Sequence, residues 1–310
     1  MFIRRTPAFV VVRAQLAQSS RELATVLVGL EAVRTGAASP PAGFRPPWDD
    51  EAARESAVRH ARRFAFDAAL ARIVDALDGY LARQRATEPL AAAVPALATQ
   101  ERSVKARLDA IWEGLDLDCT LEQALAHLAI QWRNRRWHSG SANRLEQRYV
   151  AKIRASAFEL RARHGGLTPE RLLDHFEASR SPRPRELSAL ARATGEACGQ
   201  ADRGLLLAVS PAAWAEHVLR ERFADAERRE GEARLEEVWK QPPEKRRGRL
   251  EHLLRASGFR NRALAESQRA LDDTWLESLA RCGAREAAAR FGLLDERSEQ
   301  REEDARSDGA

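Results

Sequence analysis

Leu121, Leu125, Leu128 and Trp132 recur at i, i+4, i+7 and i+11, so the chain must build at least one long helix with a buried face. No Gly or Pro interrupts the sequence from Leu121 to His138. At about 100° per residue, His127, Asn134 and His138 fall well away from the stripe, as do Ile130 and Trp137. A helix written this way turns two faces from solvent. One serves its own core, and the other, apolar and polar together, is expected to meet something else.

The rest of the 310-residue chain agrees with a helical fold. Ala, Leu, Arg and Glu dominate, Gly and Pro are confined to a few places, and runs of Val, Ile, Thr and Tyr are scarce, which predicts an all-α protein. Residues 1–34 read as an N-terminal helical segment, with one or two helices over 8–34. The Pro- and Gly-rich stretch 35–48 reads as a linker. Asp49 and Asp50 open a long helix with Phe66, Leu70, Ile73, Val74, Leu77 and Leu81 as its inner stripe, and a second helix covers 101–113. Thr120 with Gln123 three residues on is a capping-box pattern for the striped helix. Ser139–Asn143 either interrupts that helix or leaves it to continue, with local irregularity, through Leu145, Tyr149, Ile153 and Phe158 until Gly165 and Gly166 end it, and continuation is the expectation.

Ser181-Pro-Arg-Pro184 is the candidate internal boundary, dividing a bundle at 49–180 from a helical region at 186–294. In the latter, helices are expected at about 186–202, 211–240, 243–257 and 261–292. Residues 295–310 hold seven acids and three arginines without a hydrophobic anchor, so a disordered acidic tail is expected.

The net charge of +5 comes from 51 basic and 46 acidic residues, and only four of the basic ones are lysine. From 131 to 165 there are nine basic residues against Glu146 and Glu159, a local excess larger than that of the whole chain. Guanidinium forks pair bidentately with phosphate, so this segment suits nucleic acid. The three cysteines, Cys119, Cys198 and Cys282, are far apart and lack metal spacing, which fits free thiols in a reducing compartment. No apolar run approaches membrane-spanning length, and a cytoplasmic location is expected. Phosphate-binding Gly-rich loops, His-Glu-x-x-His, paired Cys-x-x-Cys and Gly-x-Ser-x-Gly are all missing, so no metal or cofactor is expected.

Arg133-Asn134-Arg135-Arg136-Trp137-His138 has the form Arg-Asn-x-x-x-His. It resembles the signature of the HEPN-domain ribonucleases, an arginine and a histidine with four to six residues between them and a polar residue commonly after the arginine. The resemblance covers roughly 50–180 and is specific over 121–140. The same spacing also occurs at Arg54…His60, Arg246…His252 and Arg247…His252, but these lack the following Asn and the leucine-striped lead-in. The resemblance implies an HEPN-like helical bundle acting as a homodimer with a composite site. It also implies products ending in a 2′,3′-cyclic phosphate and a 5′-hydroxyl, and a role as a bacterial toxin or antiviral defence effector with an inhibitory or complex-forming partner protein.

The residue types suit that chemistry. RNA carries its own nucleophile in the 2′-hydroxyl, so cleavage needs a proton acceptor, a donor for charge developing on the phosphate and an acid for the 5′-oxygen. His138 fits proton transfer near neutral pH, Arg133 stays protonated and can hold phosphate oxygens, and Asn134, four residues before His138, can orient the imidazole. Arg133 and His138 lie about 140° apart around an ideal helix, so a symmetric partner would help bring both to one phosphate. Arg135, Arg136, Arg144, Arg148 and Lys152 are candidates for the RNA backbone, with a solvated helix face as their ordinary role. Trp137 is open between base stacking and a dimer contact, and Trp132 belongs to the core by its place in the stripe. The alternative to an enzyme is a catalytically silent HEPN-like module that binds RNA or a protein through the same face.

Overall fold

The computed structural model describes residues 1–38, 41–46, 48–98, 103–137, 143–224, 235–263 and 265–293. Among these residues the protein is all-α apart from one pair of two-residue strands. In chain order come β1 (Phe2–Ile3), α1 (Pro7–Arg34), α2 (Glu51–Ala86), α3 (Glu88–Ala93), α4 (Val104–Gly114), α5 (Leu121–Trp137), α6 (Gln147–Ala155) and α7 (Ala157–Arg163). They are followed by α8 (Pro169–Glu177), α9 (Pro184–Ala208), α10 (Pro211–Ala224), α11 (Pro243–Ala256), β2 (Phe259–Arg260), α12 (Asp273–Arg281) and α13 (Ala284–Arg290). Two compact units result: residues 8–86 with 95–204, and residues 1–7 and 87–94 with the chain from 205 on.

In the larger unit α5 is the central helix, packed against α2, α4 and α6. The Thr120 hydroxyl caps it, accepting the Gln123 N–H at 3.1 Å. The Gln123 side chain turns inward, toward the Tyr149 hydroxyl at 3.5 Å, so only half of the expected reciprocal box forms. Every residue from 121 to 132 is buried, and the second non-solvent face is therefore covered by this chain itself over that length. Trp132 ends the buried run. Its indole N–H donates to the Arg180 carbonyl at 2.8 Å, and its ring meets His175 and Phe176 edge-on. Removing such a side chain costs about 3–5 kcal/mol.

On α2, Leu70, Ile73, Val74, Leu77 and Leu81 are buried as the stripe predicts, with Phe66 only half-buried. Two polar links join the same helix to α9: the Tyr80 hydroxyl donates to the Cys198 carbonyl at 3.1 Å, and the Gln84 amide to Asp202 at 3.0 Å. The bundle therefore does not close at 180, and α9 completes it through Gly204. Residues 181–183 are a short non-helical link into α9 inside this unit. There the buried Glu186 carboxylate accepts the Arg183 N–H at 2.6 Å and pairs with His175 Nδ1 at 2.8 Å.

The expectation of one helix running from 121 to 165 is corrected. The described part of α5 runs to Trp137, residues 143–146 are not helical, and α6 starts afresh at Gln147. Gly and Ser in 139–141 favour that break, because Gly is costly inside a helix and Ser competes for backbone hydrogen bonds. Leu145, Tyr149 and Ile153 keep their buried places, but Phe158 is 88% exposed. A further break at Ser156, between α6 and α7, turns Leu160 inward in its stead.

The smaller unit departs from expectation at 261–292, read as one helix. Phe259 and Arg260 instead pair antiparallel with β1, in register Ile3↔Phe259 and Phe2↔Arg260. Gly258 permits this pairing, since its φ is +105° and a Cβ there would lie 3.0 Å from the Arg5 carbonyl oxygen. The irregular segment that follows is tied down by the N-terminus: Leu271 N–H donates to the Met1 carbonyl and the Gln268 amide to the Ile3 carbonyl, each at 2.7 Å. Helix then resumes at α12, capped by Asp272. Of the helix expected over 211–240, α10 covers Pro211–Ala224 and residues 235–239 are helical, with Phe223, Trp239 and Phe291 forming an aromatic core. Residues 225–234 and the acidic tail at 295–310 lie outside the described residues.

Candidate functional site

The expected motif sits where α5 emerges from the core. Beyond Trp132 the helix becomes half-buried at Arg133, Asn134 and Arg135, and Trp137 is 55% exposed. His138 lies outside the described residues, together with 139–142. The three arginines of this turn are placed differently. Arg135 caps the end of α8: Nη1 donates to the carbonyls of Phe176 and Glu177 at 3.1 and 3.2 Å, and Nη2 to the Glu177 carboxylate at 3.0 Å. Its guanidinium also stacks 4.1 Å from the Phe176 ring centre. A cation over the last carbonyls of a helix offsets the negative end of the helix dipole. Arg136 grips Asp67 on α2 through two hydrogen bonds and donates to the Ser179 carbonyl at 3.0 Å.

Arg133 has no such anchor. Its Nε is buried without a hydrogen-bond partner, and among the described residues no carboxylate pairs with it. An unpaired guanidinium nitrogen removed from water is costly unless a ligand fills its bond. Asn134 follows it on the same half-buried turn.

The remaining candidates are dispersed. Arg144 is exposed. Arg148 lies 3.0 Å from Asp109 and 2.9 Å from Glu146, and covers the Tyr149 ring at 4.6 Å. Lys152 lines a separate cavity with Arg163 and Glu159.

The Asp109 cluster was not anticipated as a site. Fully buried His127 places Nε2 3.1 Å from Asp109 Oδ1, off a straight hydrogen bond, while its ring stacks on Tyr149 at 4.0 Å. The Tyr149 hydroxyl donates to the same carboxylate, and Lys105 Nζ lies 3.6 Å from its other oxygen. Burial alone would raise the Asp109 carboxyl, but His127, the Tyr149 hydroxyl and Arg148 outweigh it and hold the group below its usual range. Burial and the Asp109 charge push the Tyr149 hydroxyl well above the ordinary phenol range. With His127 sealed from solvent, this network joins α4, α5 and α6. No sequence signal linked Asp109 to His127, because the two meet only when α4 packs on α5.

Among the described residues, no cluster of His, Cys, Asp and Glu could hold a metal ion, and no helix is long and apolar enough to cross a membrane. No protein-family model, curated protein or solved structure matches the chain.

Proposed function

We propose that the chain is a metal-independent endoribonuclease of HEPN type, with Arg133, Asn134 and His138 as its catalytic set. The observation that supports this most is the contrast among adjacent arginines. Arg135 and Arg136 are fully engaged by protein acceptors, whereas Arg133 keeps a buried guanidinium nitrogen unpartnered beside Asn134. In the proposed reaction the 2′-hydroxyl loses its proton to His138 and attacks phosphorus. Arg133 holds the phosphate oxygens as charge builds, and the departing 5′-oxygen takes up a proton. The strand ends are a 2′,3′-cyclic phosphate and a 5′-hydroxyl. A homodimer would bring two such sets to one cleft, and a toxin or defence role would require an inhibitory partner or trigger.

The test is incubation of the purified chain with RNA in EDTA, followed by end-group analysis. Cyclic-phosphate ends from the wild type, and none from a folded His138→Ala variant, support the reading. No cleavage under any condition, or cleavage only with added Mg²⁺, overturns it. A silent RNA- or protein-binding module is favoured by the engagement of Arg135 and Arg136, which leaves less free charge for a moving substrate. RNA binding that Arg133→Ala weakens, with no cyclic-phosphate product, would establish that reading instead.

A further inference from the structure

Within the larger unit, α1, α6 and α9 bound a cavity of about 920 Å³, large for a pocket that takes a small molecule. Its charges are unequally matched. The three lining carboxylates, Glu122, Glu159 and Glu196, are all held by Arg163 or Arg192. Arg163 Nη1 reaches Glu122 at 2.8 Å, and Arg192 Nε reaches Glu196 at 2.9 Å. Glu122, on the buried floor, also accepts from the Gln200 amide at 3.3 Å. Three lining cations remain: Arg13 from α1, Lys152 from α6 and Arg203 from α9. None of them has a carboxylate within ion-pair distance among the described residues. Phe9, Leu16 and Leu121 supply an apolar wall beside them.

Three cations line the cavity from three helices while its acids are already paired, so an anion entering it meets positive charge that no carboxylate of the described residues offsets. Two of the three are guanidinium forks, whose paired donors match phosphate oxygens. We propose that this cavity binds a small organic phosphate carrying two or more negative charges, its phosphate held by Arg13, Lys152 and Arg203 and its carbon skeleton set against Phe9 and Leu16. The cavity's volume lies within the range that small molecules fill, which favours such a ligand over a polymer strand. The proposal stands apart from RNA cleavage and does not need it.

Calorimetric titration of the full chain with pyrophosphate, fructose 1,6-bisphosphate and citrate tests it. The two phosphates are expected to bind and citrate to bind at least tenfold more weakly. Arg203→Ala should weaken the phosphates about tenfold, and the Arg13→Ala/Arg203→Ala pair should weaken them a hundredfold or more, as expected when charge-assisted contacts are lost. Arg13 and Arg203 are exposed, so both variants should melt like the wild type, and Arg203→Gln gives the same reading if the pair does not. Absence of heat from both phosphates overturns the assignment, as does unchanged affinity in the variants. So does citrate binding as tightly as the bisphosphate, or a short RNA that occupies the cavity and that neither phosphate displaces.

Discussion

Arg136 and Asp67, 69 residues apart in sequence, form a two-bond pair: Nη2 to Oδ2 at 2.7 Å and Nε to Oδ1 at 3.0 Å. The pair fastens the last turn of α5 to α2, and Ser181 adds a third bond to the same carboxylate at 3.2 Å. It is partly buried, so the geometry contributes more than a solvent-exposed ion pair would. Arg136→Ala should lower unfolding free energy by about 1.5–3 kcal/mol, with Asp67→Asn similar and the double variant well short of the sum. Urea unfolding of the four proteins checks this. Additive losses would show that the two residues do not act on each other.

Arg133 should behave in the opposite way. Lysine keeps the charge but loses the fork, so Arg133→Lys should leave the unfolding midpoint nearly unchanged and slow RNA cleavage by about 10²–10³-fold. Single-turnover cleavage measured beside a thermal melt separates the two effects. A large fall in stability with cleavage intact would make Arg133 a packing residue.

Asp109 carries a prediction about acid. Its carboxyl titrates below the usual value in the folded chain, so its stabilisation is complete above the unfolded pKa, near ~3.9, and is lost as pH falls through the folded value. At pH 7 Asp109→Asn should be less stable than the wild type, and the gap should close below about pH 4. Chemical denaturation across that range provides the measurement, and a constant gap would remove the charge from the account.

His164 predicts a second window. Burial is the main reason that its imidazole titrates below the ordinary range. Arg192 and Arg163 push the same way, and Glu196 and Glu122 oppose them. Protonation then favours the unfolded chain, so the stabilising effect is full above about pH 6.5 and is lost as pH falls toward the folded value. Both ring nitrogens are buried without a hydrogen bond. His164→Leu should therefore flatten the decline in melting temperature between pH 7 and pH 5. Parallel declines in the two proteins would assign the effect elsewhere.

Much of the fold was legible along the chain because helix periodicity is local. The stripes on α2 and α5, the Thr120 cap and the core position of Trp132 all follow from spacing and residue type. The break between α5 and α6 was legible only as one of two alternatives at Ser139–Asn143, and the one at Ser156 not at all, since an apolar position every three or four residues fits one bent helix as well as two separate ones. The candidate site was legible only as a set of residue types. Nothing in Arg133-Asn-Arg-Arg distinguishes three neighbouring guanidiniums until their surroundings are known.

Sequence by itself determined that the protein is helical and that Leu121, Leu125, Leu128 and Trp132 face inward, because those properties depend on neighbours within a turn or two. Tertiary structure alone decided that α9 completes the bundle, that Phe2 and Ile3 pair with Arg260 and Phe259, and that Arg135 and Arg136 serve as braces while Arg133 Nε finds no partner among the described residues. The physical reason is that a side chain's partner is set by what the fold brings within about 3 Å of it, and helical spacing carries no record of that.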